Sequence, residues 1–425
     1  MSVSAPFLGR PLLARNLLRA GTGFCLILMV TASIGLAGTV SPPYQIGTWA
    51  GFRPAAITFT FDDDLPNQYA IAVPMFNAKG FKLTLFTVTT WLPGGAWAPV
   101  QTAALAGHEI ASHTVTHSNL STLSATLVTN ELKNSQAAID ANVTIQKCTT
   151  LAYPYCVPPA NGAIVPAFYI AARGCSGQLV PATPGDFINI SSFVCGSEGL
   201  LQFADIKSKA DAAAAANSWC VYLIHAIDND NGYSPLPSAT LQASINYLST
   251  NQNKFWVETF GNVVRYIRER NGASVTETSS TNDSITVQVT DNLDDTIYNH
   301  PITLRRPLPA NWPGAAVSQN NKAVPAQTVI LNSTNYVMFD VVPDAGEVII
   351  SKVVQASILS KPVLASPSNF AFRLDGQVGA RYAIYSSSDL LNWSPTQTNR
   401  LLGGYTNLTV AAPPTLQFYR AQWVP

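Results

Sequence analysis

Between about residue 50 and residue 272, short apolar runs alternate with stretches of helical periodicity. This alternation narrows the folds open to the chain more than any other feature. Strand-like runs fall at 55–61, 82–88, 109–112, 149–153, 219–225 and 255–258. Between them, Leu123, Leu127, Leu132 and Ile139 recur near helical spacing, as do Leu241, Ile245 and Leu248. Val263, Val264 and Ile267 line a last helix, which Asn271-Gly272 closes as a C-cap. Repeated strand–helix units build a parallel sheet covered by helices, open or closed into a barrel.

The pattern changes after Gly272. Residues 273–283 are polar and rich in Ser and Thr, and read as a linker. Ile285, Val287 and Val289 then alternate with polar residues, which predicts a β-sandwich-like domain over 280–355. A second break precedes Phe370, Phe372 and Leu374, the start of a small β module over 365–425. At the other end, Arg10, Arg15 and Arg19 precede an apolar run from Phe24 to Leu36. That layout predicts a signal peptide over 1–38 and a secreted or cell-envelope protein, the alternative being an uncleaved anchor. No later segment is long and apolar enough to span a bilayer.

Charge excludes some partners. Lys plus Arg and Asp plus Glu both number 24, so the net charge is zero. Nucleic acid and anionic membranes are not favoured, and a neutral polymer fits better. Beyond Cys25, five cysteines remain: Cys148, Cys156, Cys175, Cys195 and Cys220. An odd number cannot all pair within one chain, and sequence leaves their pairing open.

Within a chain that is only 11% charged, "ITFTFDDDLPNQY" ends an apolar strand in three consecutive carboxylates. Adjacent like charges require compensation. Asp64 reads as the N-cap of a helix beginning near Pro66. Asp62 and Asp63 have no such role and point to a cation at the strand's C-terminal end, where barrels keep their sites. His113 and His117 lie four apart in "GHEIASHTVTH", so one helical turn would bring both imidazoles to one ion. Two histidines and a carboxylate make a common zinc set. His225 ends the run "WCVYLIHAID", again at a strand terminus; alone it would read as a buried histidine bonded to a carbonyl.

Together these pieces resemble the polysaccharide deacetylase family, the NodB-homology domain of carbohydrate esterase family four. The resemblance covers roughly residues 50–272. Thr60-Phe61-Asp62-Asp63 matches the family's T-F-D-D-G, with Asp64 in place of glycine. His113-Thr114-Val115-Thr116-His117 matches H-(S/T)-x-x-H, and Leu223-Ile224-His225 matches the closing L-x-H. Ala152-Tyr153-Pro154-Tyr155 matches R-x-P-Y without its arginine.

The resemblance implies a distorted (β/α) barrel and a secreted hydrolase that removes N- or O-linked acetyl groups from a polysaccharide. Chitin-like glycan, peptidoglycan and acetylated xylan are the candidate substrates. By the same resemblance, Asp63, His113 and His117 bind a divalent ion, zinc in most members, which polarises the acetyl carbonyl. Asp62 is the base, His225 the acid, and the Tyr155 backbone N–H helps hold the oxyanion. Arg173 is a candidate for the missing arginine, and Asp186 for the fourth motif's aspartate. Cys156, where glycine often follows the tyrosine, is a candidate for a bridge. Trp91 and Trp97 either stack on sugar rings or pack. The alternative is a non-catalytic carbohydrate-binding protein on the same scaffold, and the β modules offer a means of attachment to a wall or polymer.

Overall fold

The computed structural model describes residues 38–92, 95–353, 357–377, 381–412 and 416–424. The expected signal peptide lies outside them, apart from its last residue. The described chain opens with β1 (Gln45–Ile46) and β2 (Ala55–Asp62). Next come α1 (Val73–Asn77), β3 (Thr84–Thr87), α2 (Ala98–Leu105), β4 (Glu109–Ser112), α3 (Ala125–Asn142), β5 (Thr150–Ala152) and β6 (Ala171–Arg173). They are followed by β7 (Phe193–Val194), α4 (Phe203–Ala215), β8 (Trp219–Ile224), α5 (Ser238–Thr250), β9 (Phe255–Val257) and α6 (Phe260–Gly272).

Among the described residues these strands form an eight-stranded sheet in the order β6-β5-β4-β3-β2-β8-β7, with β9 paired to the start of β2. All of its pairings are parallel. The stretch before β7 links the two edges, because Ile190 bridges to Arg173 while Phe193 and Val194 pair with β8. The sheet is therefore a distorted (β/α) barrel.

Strand alternation sorts β2 by face. Ala55, Ile57, Phe59 and Phe61 join the core beneath the surrounding helices. Thr58, Thr60 and Asp62 take the opposite, interior face. There Thr60 Oγ1 donates to the Tyr222 carbonyl at 2.8 Å, and Trp219 Nε1 donates to Thr58 Oγ1 at 2.9 Å. The acid at position 62 is thus the last of an interior row.

Helix α6 plugs the end of the barrel opposite Asp62. Glu109 accepts from Thr84 Oγ1, Thr150 Oγ1 and the Gly261 N–H, at 2.6–2.9 Å. A carboxylate at a helix N-terminus also meets the positive end of its dipole. Glycine at 261 leaves room for this carboxylate, because a Cβ there would lie 2.4 Å from Glu109 Oε1 and displace it.

The segment expected to be a linker is a strand, β10 (Ser274–Ser280). It continues into β11 (Ser284–Thr290), β12 (Ile302–Pro307), β13 (Ala315–Gln319), β14 (Lys322–Val324), β15 (Ala326–Leu331), β16 (Thr334–Val341) and β17 (Val348–Lys352). Ser and Thr suit an exposed edge strand as well as a loop, and Val275 supplies its one fully buried anchor. Two antiparallel sheets result, β10-β11-β17-β13-β14 and β1-β12-β16-β15. The chain thus enters the sandwich with β1 before it builds the barrel. One apolar core runs from Trp219 and Phe260 in the barrel through Val263, Val264 and Ile267 of α6 to Val287, Leu304 and Ile350.

A third, smaller body comprises β18 (Ile358–Ser366), β19 (Asn369–Asp375), β20 (Arg381–Ser387), β21 (Ser394–Arg400), β22 (Tyr405–Ala411) and β23 (Phe418–Val424). Its sheets are β18-β19-β22 and β21-β20-β23, closed over a separate small core around Phe372, Leu374 and Tyr382.

Two outcomes follow from this core. Each large apolar side chain uncovered costs about 1.5–3 kcal/mol, and a domain holds only about 5–15 kcal/mol in all. A fragment of residues 38–272 loses the sandwich side of α6 and will not unfold cooperatively in urea, whereas residues 38–353 will. The second concerns His108, which is 1% exposed. Its Nδ1 accepts from the Leu83 N–H at 3.1 Å, so the ring must stay neutral. Burial, reinforced by Lys82, pushes its pKa down to about 4 from 6.5. A depressed folded-state pKa gives stability that is present above pH 6.5 and lost as pH falls through about 4. Unfolding free energies from pH 7 down to pH 5 should therefore fall less steeply in His108→Gln than in the parent.

Candidate active site

Asp62 closes β2, and the chain turns sharply after it. Asp63 and Asp64 both take positive φ, 77° and 56°. This left-handed turn lets two consecutive acids address one place, which a continuing strand would forbid. Asp64 does not cap a helix. Its carboxylate accepts from Tyr69 Oη and from the Val88 N–H, both at 2.8 Å, and so pins the turn to the loop after β3. These donors, five and 24 residues further along the chain, outcompete a local cap.

His113 follows β4 directly. It and His117 are not on a helical turn. The connecting loop takes positive φ at Thr114 and at His117. Glu131 on α3 shapes it by accepting from the Val115 and Thr116 N–H groups, each at 2.9 Å. His113 Nδ1 donates to the Ala152 carbonyl at 2.9 Å, which turns Nε2 toward the acids. Asp63 Oδ1 lies 3.6 Å from both His113 Nε2 and His117 Nε2.

Asp62 Oδ2 faces three cationic or basic groups: Arg173 Nη2 at 2.5 Å, His113 Nε2 at 3.5 Å and His225 Nε2 at 4.0 Å. Arg173 lies on β6, directly opposite Ala152 of β5. His225 ends β8. Gln68 joins the two strand ends by donating to the Asp62 and His225 carbonyls, at 2.5 Å and 3.0 Å.

Asp62, Asp63, His113, His117 and His225 line a cleft of about 520 Å³ together with Tyr153, Tyr155 and Tyr233. Tyr155 is 64% exposed, in a left-handed conformation with φ of 57°. A disulfide joins its neighbour Cys156 to Cys175, two residues after Arg173. It ties together the loops that leave β5 and β6. Cys148, Cys195 and Cys220 are buried free thiols. Trp91 is exposed, with its ring 4.7 Å from that of His117. Trp97 packs against the core instead. Asp186 is not beside His225: it accepts from the Ile188 N–H at 2.8 Å and acts electrostatically on Tyr153.

Burial opposes ionisation of Asp62, but Arg173, His113 and His225 outweigh it and hold the carboxyl below its ordinary value. Asp63 behaves oppositely. Burial and the charges of Asp62 and Asp64 push it up to about 7. Burial lowers His113 to about 4, and lowers His117 and His225 as well. The imidazoles are therefore neutral, as ligands must be.

Asp63, His113 and His117 fit a metal ion. Zinc bonds of about 2.0–2.2 Å in a tetrahedron place ligand atoms about 3.3–3.6 Å apart, and the two aspartate–histidine distances match. Asp63 Oδ1 is buried and has no hydrogen-bond donor among the described residues. A cation would answer both that orphaned oxygen and the repulsion between the acids.

Residues 51–161 match the family model described as polysaccharide deacetylase. This region of the chain is similar to the polysaccharide deacetylase family. A gellan lyase from Bacillus sp is 28% identical over 353 residues, covering 76% of this chain but 14% of the lyase. The chain thus spans about one seventh of that relative. Two solved structures are similar to part of the chain at low identity. One is a "probable Polysaccharide deacetylase" from Pseudomonas aeruginosa PAO1, 13% identical with a TM-score of 0.43, covering 53% of this chain and 95% of that one. The other is the Xyl-CE4 domain of a multidomain xylanase from a Trinervitermes trinervoides hindgut metagenome, 19% identical with a TM-score of 0.37, covering 49% and 88%.

Two departures from the deacetylase motifs now have structural explanations. The position that is glycine in T-F-D-D-G has φ of 56° here, a conformation aspartate tolerates better than most residues. The arginine absent at Ala152 is supplied by its cross-strand neighbour, Arg173.

Arg173→Met leaves Asp62 buried and unpaired, which should cost about 3–5 kcal/mol. Adding Asp62→Asn should recover much of that loss, because the unpaired charge disappears. Urea unfolding of the four-variant cycle measures the coupling.

Proposed function

We propose that the first domain is a secreted, metal-dependent deacetylase that removes N- or O-linked acetyl groups from a polysaccharide. Chitin-like glycan, peptidoglycan and acetylated xylan are its candidate substrates. The observation that carries this reading is the separation of roles around one cleft. Asp63, His113 and His117 converge on one point, while Asp62, held by Arg173, and His225 lie beside it without joining that group.

A divalent cation, zinc by its donor set, would polarise the acetyl carbonyl and acidify the attacking water. Asp62 then takes the water's proton. Arg173 keeps Asp62 ionised and fixes its orientation, so the base is ready without reorganisation. The Tyr155 backbone N–H, at the cleft wall, donates to the oxyanion. His225, neutral at rest and 4.0 Å from Asp62 Oδ2, relays the proton that Asp62 takes from water to the departing amine or alkoxide. Acetate and the deacetylated sugar are released. The exposed Tyr155, Tyr233 and Trp91 rings offer flat surfaces for sugar units.

The basic-then-apolar N-terminal pattern and the Cys156–Cys175 disulfide support export to an oxidising compartment. Among the described residues no helix is long and apolar enough to cross a membrane. The gellan lyase relative supports a setting of polymeric carbohydrate, with the β modules as attachment to wall or polymer. One feature favours a binding-only protein on the same scaffold: His225 Nδ1 has no hydrogen-bond partner among the described residues, so nothing there tunes it.

Acetate release from acetylated oligosaccharides separates the two. Asp62→Asn should retain metal by elemental analysis and lose about 10²–10⁴-fold in turnover. His117→Ala should lose metal and activity together. Metal-loaded parent that releases no acetate from chito-oligomers, peptidoglycan or acetylated xylan would establish the binding role.

A further inference from the structure

A second group of carboxylates lies away from the cleft, and deacetylation does not use it. Asp291, Asp295 and Asp344 each bring a carboxylate oxygen within 4.8 Å of the others. Asp291 and Asp295 stand on the loop after β11, and Asp344 on the turn between β16 and β17. The Asp291 N–H donates to Asp344 Oδ2 at 2.8 Å, and the Leu293 N–H donates to Asp291 Oδ1 at 2.7 Å. These bonds hold loop and turn together without cancelling their charge.

Exposed acids alone would signify little. Glu269, in the last turn of α6, adds a separate observation. It is 1% exposed, and its carboxyl meets that of Asp291 from the protein side. Oε1 accepts from the His300 N–H at 3.1 Å, while Oε2 is buried with no hydrogen-bond donor among the described residues. Among the described residues no lysine or arginine forms an ion pair with any of the four acids. Burial and the hydrogen-bonded Asp291 push the Glu269 carboxyl up to about 9, so either a proton or a cation must lie between the two groups, and a cation also answers the charge of Asp295 and Asp344.

We propose that Asp291, Asp295 and Asp344 bind a calcium ion, with Glu269 closing the site from its buried side. The donors are all carboxylate oxygens, which selects a hard cation over zinc or copper. Calcium–oxygen bonds of about 2.3–2.6 Å let ligands on opposite sides stand up to about 5 Å apart, whereas magnesium's shell spans only about 4.2 Å. The exposed side of Asp295 and Asp344 leaves room for water to complete the shell. The ion fastens the end of α6, and through it the barrel, to two connections of the sandwich.

The test uses the full chain, dialysed against EDTA and titrated calorimetrically with CaCl2, with MgCl2 as a parallel arm. Thermal unfolding is followed under the same conditions. One calcium per chain is expected, with a midpoint shift upward and a weaker response to magnesium. Asp295→Asn and Asp344→Asn change exposed residues and should fold normally. Each should weaken calcium binding about 10-fold or more, since ligand charge sets affinity in such sites. Acetate release should be unchanged in both. Asp63→Asn should keep the calcium response, which separates this site from the cleft. Absence of heat or midpoint shift at about 10 mM calcium overturns the proposal, a concentration well above the weakest extracellular sites. Equal binding by parent and the double variant, or a stronger response to magnesium, also overturns it.

Discussion

A guanidinium with no access to solvent sits 2.5 Å from a carboxylate that is itself almost fully enclosed. Neither charge would persist there alone, because burying an unpaired ion is far costlier than any packing gain. Arg173 and Asp62 therefore fix each other's ionisation, and the rest of the cleft is arranged around that fact. Ser192 adds a contact to Arg173 Nη1 at 3.3 Å, and the Phe86 ring lies 5.2 Å from the guanidinium carbon. The small Ala152 beside Arg173 leaves space for this arrangement. The positive charge that position 152 lacks reaches the same carboxylate from the neighbouring strand.

The neighbouring Asp63 lacks such a partner, and its buried Oδ1 has no hydrogen-bond donor among the described residues. The three consecutive acids thus have three different fates. Asp62 pairs with an arginine, Asp63 faces two neutral imidazoles, and Asp64 is spent on backbone and tyrosine hydrogen bonds. The left-handed backbone at Asp63, Asp64, Thr114, His117 and Tyr155 is concentrated where these groups meet. Strain of this kind is held in place by surrounding bonds, here those from Glu131, Val88 and Gln68.

Much of this was legible in the chain itself. Long periodic runs announced β2, β8, α3, α5 and α6, and the spaced Asp-Asp, His-His and terminal His225 announced the cleft. Short elements escaped: β6 and β7 hold three and two residues, too few for periodicity to register. The histidine pair suggested a helix because spacing of four is all that sequence displays, whereas Glu131 imposes a loop from 14 positions beyond His117. Arg173 could be guessed only as a candidate, since cross-strand register with Ala152 is a property of the assembled sheet. The supposed linker failed for a different reason: Ser and Thr are equally at home on a pleated edge.

The continuous core around α6 bears on how such proteins can be recombined. The obvious seam in the chain, after Gly272, runs through the middle of a hydrophobic interior rather than along its border. An exchange there would hand each descendant half an interior. Barrel and sandwich must therefore travel as one heritable piece, and only the chain beyond β17, with its own small core, is positioned to be traded freely among relatives.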